Sequence, residues 1–567
     1  MTDEPRDDHD HHWPMFRSLQ DLRLSALPAD LAAGLTLAAI AIPEQMATSK
    51  LGGFTPETGF FAFIAGSLGF ALFGANRFLS CGADSTITPI FAGGLALFAA
   101  SGTPEYGNMA AALALLVGVM LVLAGGFKLG GIANLLSVPV TVGFLAGIAV
   151  HIIVSQLPGV LGLPAPSGPT LARIVALAGE LGRTNGNTLV IGVGVLATVM
   201  ICEKISARIP GALIALGAAT LFVLAAGLET RGVPVIGSIS GAVPMPSVPL
   251  IGPEQWAKLV PLAFLIAVIV MMQTSATTRS FPSDPDRPAD VDRDFLGAGA
   301  GSVLAGLFGA FPVNASPPRT GIVVETGGRS QLSGLLAAVI VLLLLLFGGR
   351  LLAHVPEAAL GGVLLFVATR IIRAGQIASV YRQSKGEFLL ILATAAAIVA
   401  LPIEQGVALG ISLSLLHGIW STTRAHLIAF ERVPDTTIWW PAHPQIKGEK
   451  LSDVAVVGFQ APLSFLNAAT FRADLEHMLR SRKPRLVVFE ASAIVEVDFT
   501  AAQALRDVIR TCNDTGTIFA VARLESLRAQ QAFERFGLYD LLPRDRVFHS
   551  VDLALQKLQG DRLKTRA

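Results

Sequence analysis

Charge and cysteine are both scarce in this chain. Asp, Glu, Lys and Arg make up 15% of its 567 residues, whereas ordinary soluble domains carry about 25%. The formal net charge is +1, which gives no indication of a nucleic-acid partner, and we predict none. Three cysteines, Cys81, Cys202 and Cys512, indicate no disulfide framework. The chain is 52% apolar with a mean hydropathy of +0.61, and this composition predicts a membrane protein that contacts the lipid bilayer.

The N-terminal segment has no apolar core of the kind that a cleavable signal peptide contains. Residues 1–29 form an acidic, histidine-bearing tail, so we expect the first span to act as its own signal. His9, His11 and His12 lie beside aspartates and could bind a metal; a solvated tail is the simpler interpretation. We predict no metal site and no cofactor.

Apolar segments recur throughout residues 30–425 and predict about fourteen spans. Two of them, beginning at Asp84 and Pro318, are too short to cross a hydrocarbon core of about 30 Å as a helix. The predicted spans are residues 30–48, 57–75, 84–101, 109–127, 134–155, 188–205, 210–227, 257–276, 295–311, 318–326, 331–348, 356–373, 386–401 and 404–423. The fold predicted is therefore a mainly α polytopic membrane protein.

The placement of basic residues indicates the orientation of these spans. With the N-terminus inside, lysine and arginine concentrate on the inner connecting segments, as expected for cytoplasmic loops. The outer segments contain only Lys50, Arg173, Arg183, Arg231, Lys258 and Arg350. This distribution predicts an inner-membrane protein whose N-terminus and C-terminal domain are cytoplasmic.

An internal repeat appears in the first half and again in the second half of the membrane region. Residues 66–75 (GSLGFALFGA) and residues 301–310 (GSVLAGLFGA) are identical at six of ten positions. Each copy runs into a break rich in Pro, Ser and Thr and then into one of the two short helices. Seven spans separate the copies, so they have opposite orientations, as in inverted-repeat transporters with a site between two broken helices. Chance similarity in sequence rich in Gly, Ala and Leu is the alternative.

Polar residues in these two breaks predict an anion site. Residues 80–89 (SCGADSTITP) are polar within apolar surroundings, and polar groups at that depth are tolerated only in a bundle interior or a wet cavity. Two short helices that begin at mid-membrane would direct their positive ends at one point. Arg319 adds a full charge, and Ser85, Thr86 and Ser316 can donate hydroxyls. The alternative for Arg319 is that of a structural partner for a carboxylate such as Glu325, with no substrate contact.

Two acidic residues are candidates for coupling to a cation. Asp84 would repel an anion unless it is protonated or holds a cation, which is what a residue that couples transport to H⁺ or Na⁺ should do. Its alternative role is the N-cap of the short helix. Glu44 follows Pro43 at the end of the first span, and it is a second coupling candidate or a member of a core ion pair. In the eighth span, Gln273, Ala276 and Thr277 share one helical face, although hydroxyls there could simply bond the helix backbone.

The C-terminal part is charged and reads as a small α/β domain. Strands are predicted at residues 454–459, 486–489 and 517–521, and helices at 466–479, 500–511, 524–536 and 551–558. The predicted domains are a tail at 1–29, a transmembrane domain at 30–425, a linker at 426–450, the α/β domain at 451–560 and a tail at 561–567.

At these residues the chain resembles the sulfate permease (SulP) family, whose animal members are solute carrier family 26. The similarity rests on residues 42–47 (IPEQMA), 309–313 (GAFPV), 319–320 (RT) and 327–334 (GGRSQLSG), and residues 494–502 (IVEVDFTAA) resemble a STAS domain. The resemblance implies seven-plus-seven inverted repeats with two half-helices, a cytosolic STAS domain, a homodimer and anion transport by an elevator-like movement.

The resemblance also implies which residues contact the substrate. Carried onto this sequence, the contacts fall within residues 44–48, 84–86, 273–277 and 316–320. The expected substrate-binding residues are Gln45, Thr48, Ser85, Thr86, Gln273, Ala276, Thr277, Ser316, Arg319 and Thr320. Relatives commonly have an acid at Gln273 and an uncharged residue at Asp84, so the acid has moved between repeats. In the STAS domain the implied regulatory residues are Asp498 and Thr500, the latter either phosphorylatable or an ordinary N-cap.

The function predicted is secondary active transport of small oxyanions, with sulfate as the expected substrate and symport with H⁺ or Na⁺. Bicarbonate/Na⁺ symport and dicarboxylate/H⁺ symport are close variants, because each substrate is a small oxyanion. An alternative of another class is an uncoupled anion channel, or a membrane sensor whose STAS domain binds a cytosolic partner. The sequence contains no nucleophile–base pair or phosphate loop, so we do not predict an enzyme.

Overall fold

A computed structural model describes residues 15–19, 27–134, 137–166, 168–206, 209–237, 246–284, 288–423, 425–442, 448–449, 451 and 453–564. The three histidines of the N-terminal tail, His9, His11 and His12, lie outside the described residues. The chain divides into two compact units, Met1–Ser414 and Leu415–Ala567.

The first unit is helical, and each of the fourteen predicted spans overlaps a helix. Its first helices are α1 (Leu27–Leu51), α2 (Pro56–Phe73), α3 (Thr88–Ala96), α4 (Pro104–Gly126), α5 (Val138–Leu161), α6 (Thr170–Glu180), α7 (Gly186–Ile205) and α8 (Gly211–Ala226). The remaining helices are α9 (Pro253–Ser280), α10 (Val291–Leu307), α11 (Pro317–Glu325), α12 (Leu332–Phe347), α13 (Gly349–Leu352), α14 (Glu357–Ile371), α15 (Ala374–Gln383), α16 (Lys385–Ala400) and α17 (Ile403–Thr423), within which this unit ends. Helices α6, α13 and α15 were not predicted.

Among the described residues, seven helical segments are long and apolar enough to cross a membrane. They are α1, α2, α4, α5, α7, α9 and the segment Glu357–Gln383. On α7 large apolar side chains such as Val190, Val193 and Ile201 are exposed. An exposed apolar face of this kind fits contact with lipid rather than with water.

The two copies of the repeat pack directly against each other. A Cβ built on Gly69 of α2 would lie 2.2 Å from the backbone nitrogen of Gly301 on α10, and one built on Gly301 would lie 2.9 Å from the Cα of Gly66. Gly66 and Gly301 are the first residues of the two copies. Because equivalent positions meet, the contact is that of two elements related by a pseudo-two-fold axis. Glycine is required here because the two backbones approach so closely.

The two breaks pair as short strands. Strand β1 (Cys81–Gly82) precedes α3, strand β2 (Asn314–Ala315) precedes α11, and the two strands are antiparallel. The backbone N–H of Ser316 extends the ladder by donating to the carbonyl of Ser80 over 2.9 Å. The prediction that the two short helices begin close together is therefore confirmed.

The predicted starts of the short helices need correction. Helix α11 begins at Pro317, one residue before the predicted start, and α3 begins at Thr88, four residues after Asp84. The backbone N–H of Thr86 donates to Oδ1 of Asp84 over 2.9 Å. A side chain that bonds its own backbone two residues on forms a turn instead of helix. Asp84 is therefore not the N-cap of α3, a position held by Ile87.

Aromatic packing supports the region around the breaks. The ring of Phe311, just before β2, lies 5.2 Å from that of Phe91 in α3 and 5.0 Å from that of Phe54. Phe91 and Phe311 are fully buried. Tilted ring pairs at this distance add to the free energy gained by burial, and here they join α3 to the strand that belongs to the other repeat.

The second unit has a six-stranded sheet with the order β4-β3-β5-β6-β7-β8. Its strands are β3 (Leu427–Arg432), β4 (Trp439–Pro441), β5 (Val454–Phe459), β6 (Leu486–Glu490), β7 (Ile518–Ala522) and β8 (Val547–Phe548), and its helices are α18 (Ala468–Arg482), α19 (Phe499–Asp514), α20 (Leu527–Arg535) and α21 (Val551–Lys564). Strands β5 to β8 are parallel, while β3 is antiparallel to β4 and β5.

The predicted linker at residues 426–450 is wrong for its described part. Strand β3 lies within it and pairs with β5, with Leu427 opposite Phe459 and Ala429 opposite Val457. Strand β4 adds to the outer edge of β3. The prolines and tryptophans of this segment are typical of a linker. The edge of β5, however, has free backbone N–H and C=O groups, and the backbone of β3 forms hydrogen bonds with them.

Candidate functional site

Arg319 occupies the third position of α11 and is fully buried. Its Nη1 donates to Oε1 of Glu44 on α1 over 2.8 Å and to the carbonyl of Ala83 over 3.1 Å. Its Nε donates to Oγ of Ser80 over 3.3 Å. Its Nη2 is buried and has no hydrogen-bond partner among the described residues. Arg319 therefore has a carboxylate partner, and Glu44 is a member of a core ion pair, as the alternatives for the two residues predicted. The choice of Glu325 as that carboxylate is wrong, because Glu325 ends α11 and is exposed.

The surroundings of the guanidinium are apolar on one side. The Cζ of Arg319 lies 5.9 Å from the ring centroid of Phe63, which is fully buried on α2. A cation over an aromatic face is attracted to the ring. The same apolar wall keeps water away, which strengthens every charge interaction at the site.

Gln45 fastens the turn that follows β1. Its Nε2 donates to the carbonyl of Ala83 over 3.1 Å, and its Oε1 accepts from the backbone N–H of Ala83 over 2.9 Å. Both ends of the carboxamide are therefore engaged with the backbone of one residue, Ala83, through the two peptide units on either side of it. Gln45 holds the backbone that Arg319 also contacts, so its place in the structure is that of a support for the turn.

A second polar group joins both breaks to α9. The hydroxyl of Thr86 lies close to Oδ1 of Asp84 and 2.9 Å from Oε1 of Gln273. The Nδ2 of Asn314 lies 2.7 Å from the same Gln273 oxygen and 3.4 Å from Oδ1 of Asp84. Asp84, Thr86 and Asn314 are buried, and Gln273 is half-buried. The Oδ1 of Asn314 has no partner among the described residues.

The start of α11 is held by its own side chains. Thr320 donates from Oγ1 to the carbonyl of Ser316 over 2.8 Å, and its Oγ1 accepts from the backbone N–H of Ser80 over 3.0 Å. Because Pro317 and Pro318 have no N–H, Arg319 supplies the only backbone donor in the first three residues of this helix. The guanidinium therefore provides more donors here than the helix end does.

The structure brings together most of the predicted residues. Those joined by hydrogen bonds to one another or to the two breaks are Glu44, Gln45, Asp84, Thr86, Gln273, Ser316, Arg319 and Thr320. Of the other four predicted residues, Thr277 bonds only the backbone of its own helix, and Thr48, Ser85 and Ala276 form no such bond within the described part of the chain. Thr48 and Ser85 are buried, Ala276 is exposed, and Thr277 donates to the carbonyl of Gln273 in its own helix over 2.7 Å.

Sequence reasoning missed three side chains of the site. Ser80 is the first residue of the polar stretch 80–89, so this stretch could have indicated it as a member of the site. Asn314 is the polar residue of the second break, and the repeat could have directed attention to it. Phe63 has no signal in the sequence, because one aromatic residue in an apolar span resembles any other.

The predicted regulatory pair of the second unit lies at the start of α19. Asp498 is the N-cap: its Oδ1 accepts from the backbone N–H of Ala501 over 2.8 Å, and its Oδ2 accepts from that of Phe465 over 2.6 Å. Thr500 is the second residue of the helix and is exposed. The interpretation of Thr500 as the N-cap is therefore wrong.

Comparison with known proteins identifies the family. Residues 27–394 match the model of the sulfate permease family, and residues 445–554 match that of the STAS domain. The chain belongs to the sulfate permease family. This is a family of multi-pass membrane transporters of small anions, so the predicted resemblance and fold class are confirmed. The family is a transporter family and not an enzymatic one.

Relatives cover nearly the whole permease. A Mycobacterium tuberculosis protein named "Probable sulfate transporter" is 33% identical over 538 residues, which are 94% of this chain and 95% of that protein. The structure of the murine solute carrier 26 family member A9 anion transporter in the inward-facing state has a TM-score of 0.87 at 20% identity, covering 95% of this chain and 92% of that one. The transmembrane domain of a cyanobacterial bicarbonate transporter has a TM-score of 0.61 at 23% identity, covering 70% and 98%. At these low identities, the similarity to the two solved structures shows a shared fold.

Proposed function

We propose that this permease is a secondary active symporter of small oxyanions, with sulfate as the first candidate, driven by H⁺. The anion binds beside Arg319, between the starts of α3 and α11. The site then reaches the other face of the membrane by an elevator-type movement of the helices that carry it. The full-length similarity to a protein named as a sulfate transporter supports sulfate.

The observation that carries this proposal is that Nη2 of the fully buried Arg319 has no partner in the part of the chain that the structure describes. A buried charged donor without an acceptor loses the hydrogen bonds that water would give it. An oxyanion provides acceptor oxygens in the fork geometry that a guanidinium favours. The half-buried carboxamide of Gln273, which is hydrogen-bonded to both breaks through Thr86 and Asn314, is a further candidate donor.

The charges at the site support coupling to protons. Arg319 contributes one positive charge, while Glu44 and Asp84 contribute two negative charges when both are ionised. A site with this balance repels an anion. Because Glu44 bonds the guanidinium directly, an incoming anion competes with it, and protonation of Glu44 removes the competitor. Asp84 has no basic partner within ion-pair distance among the described residues, so its protonation removes the remaining repulsion.

The proposed setting is the inner membrane, with the N-terminus and the STAS domain in the cytoplasm and with two permeases forming a homodimer. The distribution of lysine and arginine supports this orientation. Single cysteines placed on the outer and inner loops, tested with a thiol reagent that cannot cross membranes, check the topology. Light scattering of the purified protein checks the dimer.

A counterflow assay in proteoliposomes tests the proposed function. Liposomes that contain the permease are loaded with unlabelled sulfate, bicarbonate, chloride or fumarate, and entry of labelled sulfate is followed with and without gradients of pH and sodium. We expect sulfate to drive exchange and a pH gradient to drive accumulation. Accumulation that follows sodium alone, or current without coupled flux, would reject the proton symporter in favour of a sodium symporter or a channel.

A further inference from the structure

The carboxamide of Asn314 donates hydrogen bonds through its nitrogen but accepts none through its oxygen among the described residues. It is fully buried on β2, and its Nδ2 lies 2.7 Å from Oε1 of Gln273 and 3.4 Å from Oδ1 of Asp84. Its two N–H groups are thus directed at the two acceptors. Its own Oδ1 accepts from no described residue. The residue therefore acts only as a donor, and it connects one repeat to the turn of the other repeat and to α9.

The contact to Gln273 has a directional consequence. Oε1 of Gln273 receives the Asn314 amide and lies 2.9 Å from the hydroxyl of Thr86. With its oxygen held on this side, the carboxamide must direct its Nε2 away from Asn314 and Thr86. That nitrogen donates to no described residue, and the side chain is only half-buried. If the carboxamide were turned over, it would present an oxygen instead of two N–H groups.

The orientation of a side-chain amide decides whether a ligand meets its N–H groups, with their partial positive charge, or its oxygen, with its partial negative charge. N–H groups stabilise an oxyanion, whereas a carbonyl oxygen repels it. We propose that Asn314 is a positioning residue for anion binding: it holds the Gln273 carboxamide so that Nε2 donates to the oxyanion. This inference rests on the proposed function, because it assigns a donor to the same anion site.

A double-mutant cycle on sulfate affinity tests the inference. Binding of radiolabelled sulfate to the purified full-length permease is measured for Asn314→Ala, Gln273→Ala and the double variant. Each single substitution is expected to weaken the affinity about tenfold, which is the effect of losing one hydrogen bond to a charged ligand. The double variant is expected to match Gln273→Ala alone, because Asn314 acts only through Gln273.

Two controls separate positioning from stability. Asn187→Ala removes the same group at the exposed start of α7 and is expected to leave affinity unchanged. The melting temperature of each variant is recorded, and Asn314→Ser, which retains a short polar side chain, replaces Asn314→Ala if that variant does not fold. Neither substitution at position 314 can reproduce the directed donor, so the same tenfold loss is expected from both.

The outcomes distinguish this inference from the function on which it rests. An affinity within twofold of the original for Asn314→Ala or Asn314→Ser, or a double variant whose loss is the product of the single losses, overturns the positioning role. If Arg319→Ala still weakens sulfate binding in that case, the anion site stands and only the role of Asn314 falls. If the unsubstituted permease binds no sulfate, both proposals are rejected.

Discussion

Glu44 and Arg319 lie 275 residues apart in the chain and 2.8 Å apart in the structure. The first follows Pro43 within α1, and the second is the third residue of the short helix α11 in the other repeat. The guanidinium is fully buried, yet one of its nitrogens lacks an acceptor among the described residues. Under the proposed function, Glu44 and the transported anion compete for this one arginine.

Neutralising Glu44 should separate anion binding from proton coupling. In Glu44→Gln the guanidinium no longer faces a carboxylate, so we expect sulfate binding that is tighter and less dependent on pH than in the unsubstituted permease. Accumulation driven by a pH gradient should be lost. Binding and uptake in proteoliposomes measure both effects. Glu325→Gln is the matched control, because it removes an exposed acid from α11 without touching the pair; pH-driven accumulation that persists in Glu44→Gln would argue against this role.

Removing Arg319 should affect both binding and stability. Arg319→Ala takes away the main donor, so sulfate affinity should fall by about tenfold or more. It also leaves Glu44 partly buried without its cation, a change that costs about 3–5 kcal/mol in comparable pairs. The melting temperature in detergent should drop and should recover in the double variant with Glu44→Gln, while binding should not recover. An unaltered affinity would remove Arg319 from the site.

Asp84 should matter for ion-driven transport more than for binding. Asp84→Asn keeps the shape of the side chain and an acceptor for the backbone N–H of Thr86, so the turn before α3 should persist. We expect uptake driven by the ion gradient to be abolished while counterflow of sulfate partly remains. Gradient-driven uptake and counterflow of sulfate are measured on the same preparation of proteoliposomes and compared. Unchanged dependence of uptake on pH would show that Asp84 is structural.

The contact between the two repeats should tolerate no side chain. In Gly69→Ala the new methyl would lie 2.2 Å from the backbone nitrogen of Gly301, and neither helix backbone can move without disturbing its neighbours. Overpacking of this kind costs about 1–3 kcal/mol, seen as a lower melting temperature. Gly217→Ala on α8, where nothing lies within 4 Å, is the control and should melt unchanged. Equal melting temperatures would contradict the close crossing of α2 and α10.

In the STAS domain, Asp498 and Thr500 should behave differently. Asp498→Ala removes the cap of α19 and the acceptor for the Phe465 backbone, with a loss of about 0.5–2 kcal/mol. Thr500→Ala changes an exposed side chain that caps nothing, so it should be nearly neutral. Hydrogen exchange of the full-length permease, followed at α19, measures the difference. Similar exchange in the two variants would refute the assignment of the cap.

The sequence allowed the membrane fold to be predicted closely, because span length and apolar composition depend on the bilayer and only weakly on tertiary contacts. The internal repeat was also visible in the sequence, because its glycines are needed where α2 crosses α10. The start of α3 was misplaced because the carboxylate of Asp84 bonds the backbone and delays the helix. Strand β3 was missed because an edge strand beside prolines and tryptophans looks like a linker until its partner β5 is known.

The sequence indicated most of the side chains that lie together around the two breaks, but not the bonds between them. Residue types and spacing identified Arg319, Asp84, Glu44 and Gln273 as chemically important. Which acid meets the arginine depends on how distant helices pack, and the choice of Glu44 over Glu325 could not be made from spacing. The role of Asn314 likewise depends on a strand pairing between the two repeats.

The position of a bound anion tests the central claim most directly. Crystals of the permease grown with selenate, an oxyanion of the same shape as sulfate, allow the selenium to be located by its anomalous scattering. We expect selenium next to Nη2 of Arg319, between the starts of α3 and α11 and on the side of the Gln273 carboxamide. Selenate bound elsewhere, with Nη2 still lacking an acceptor, would contradict this claim.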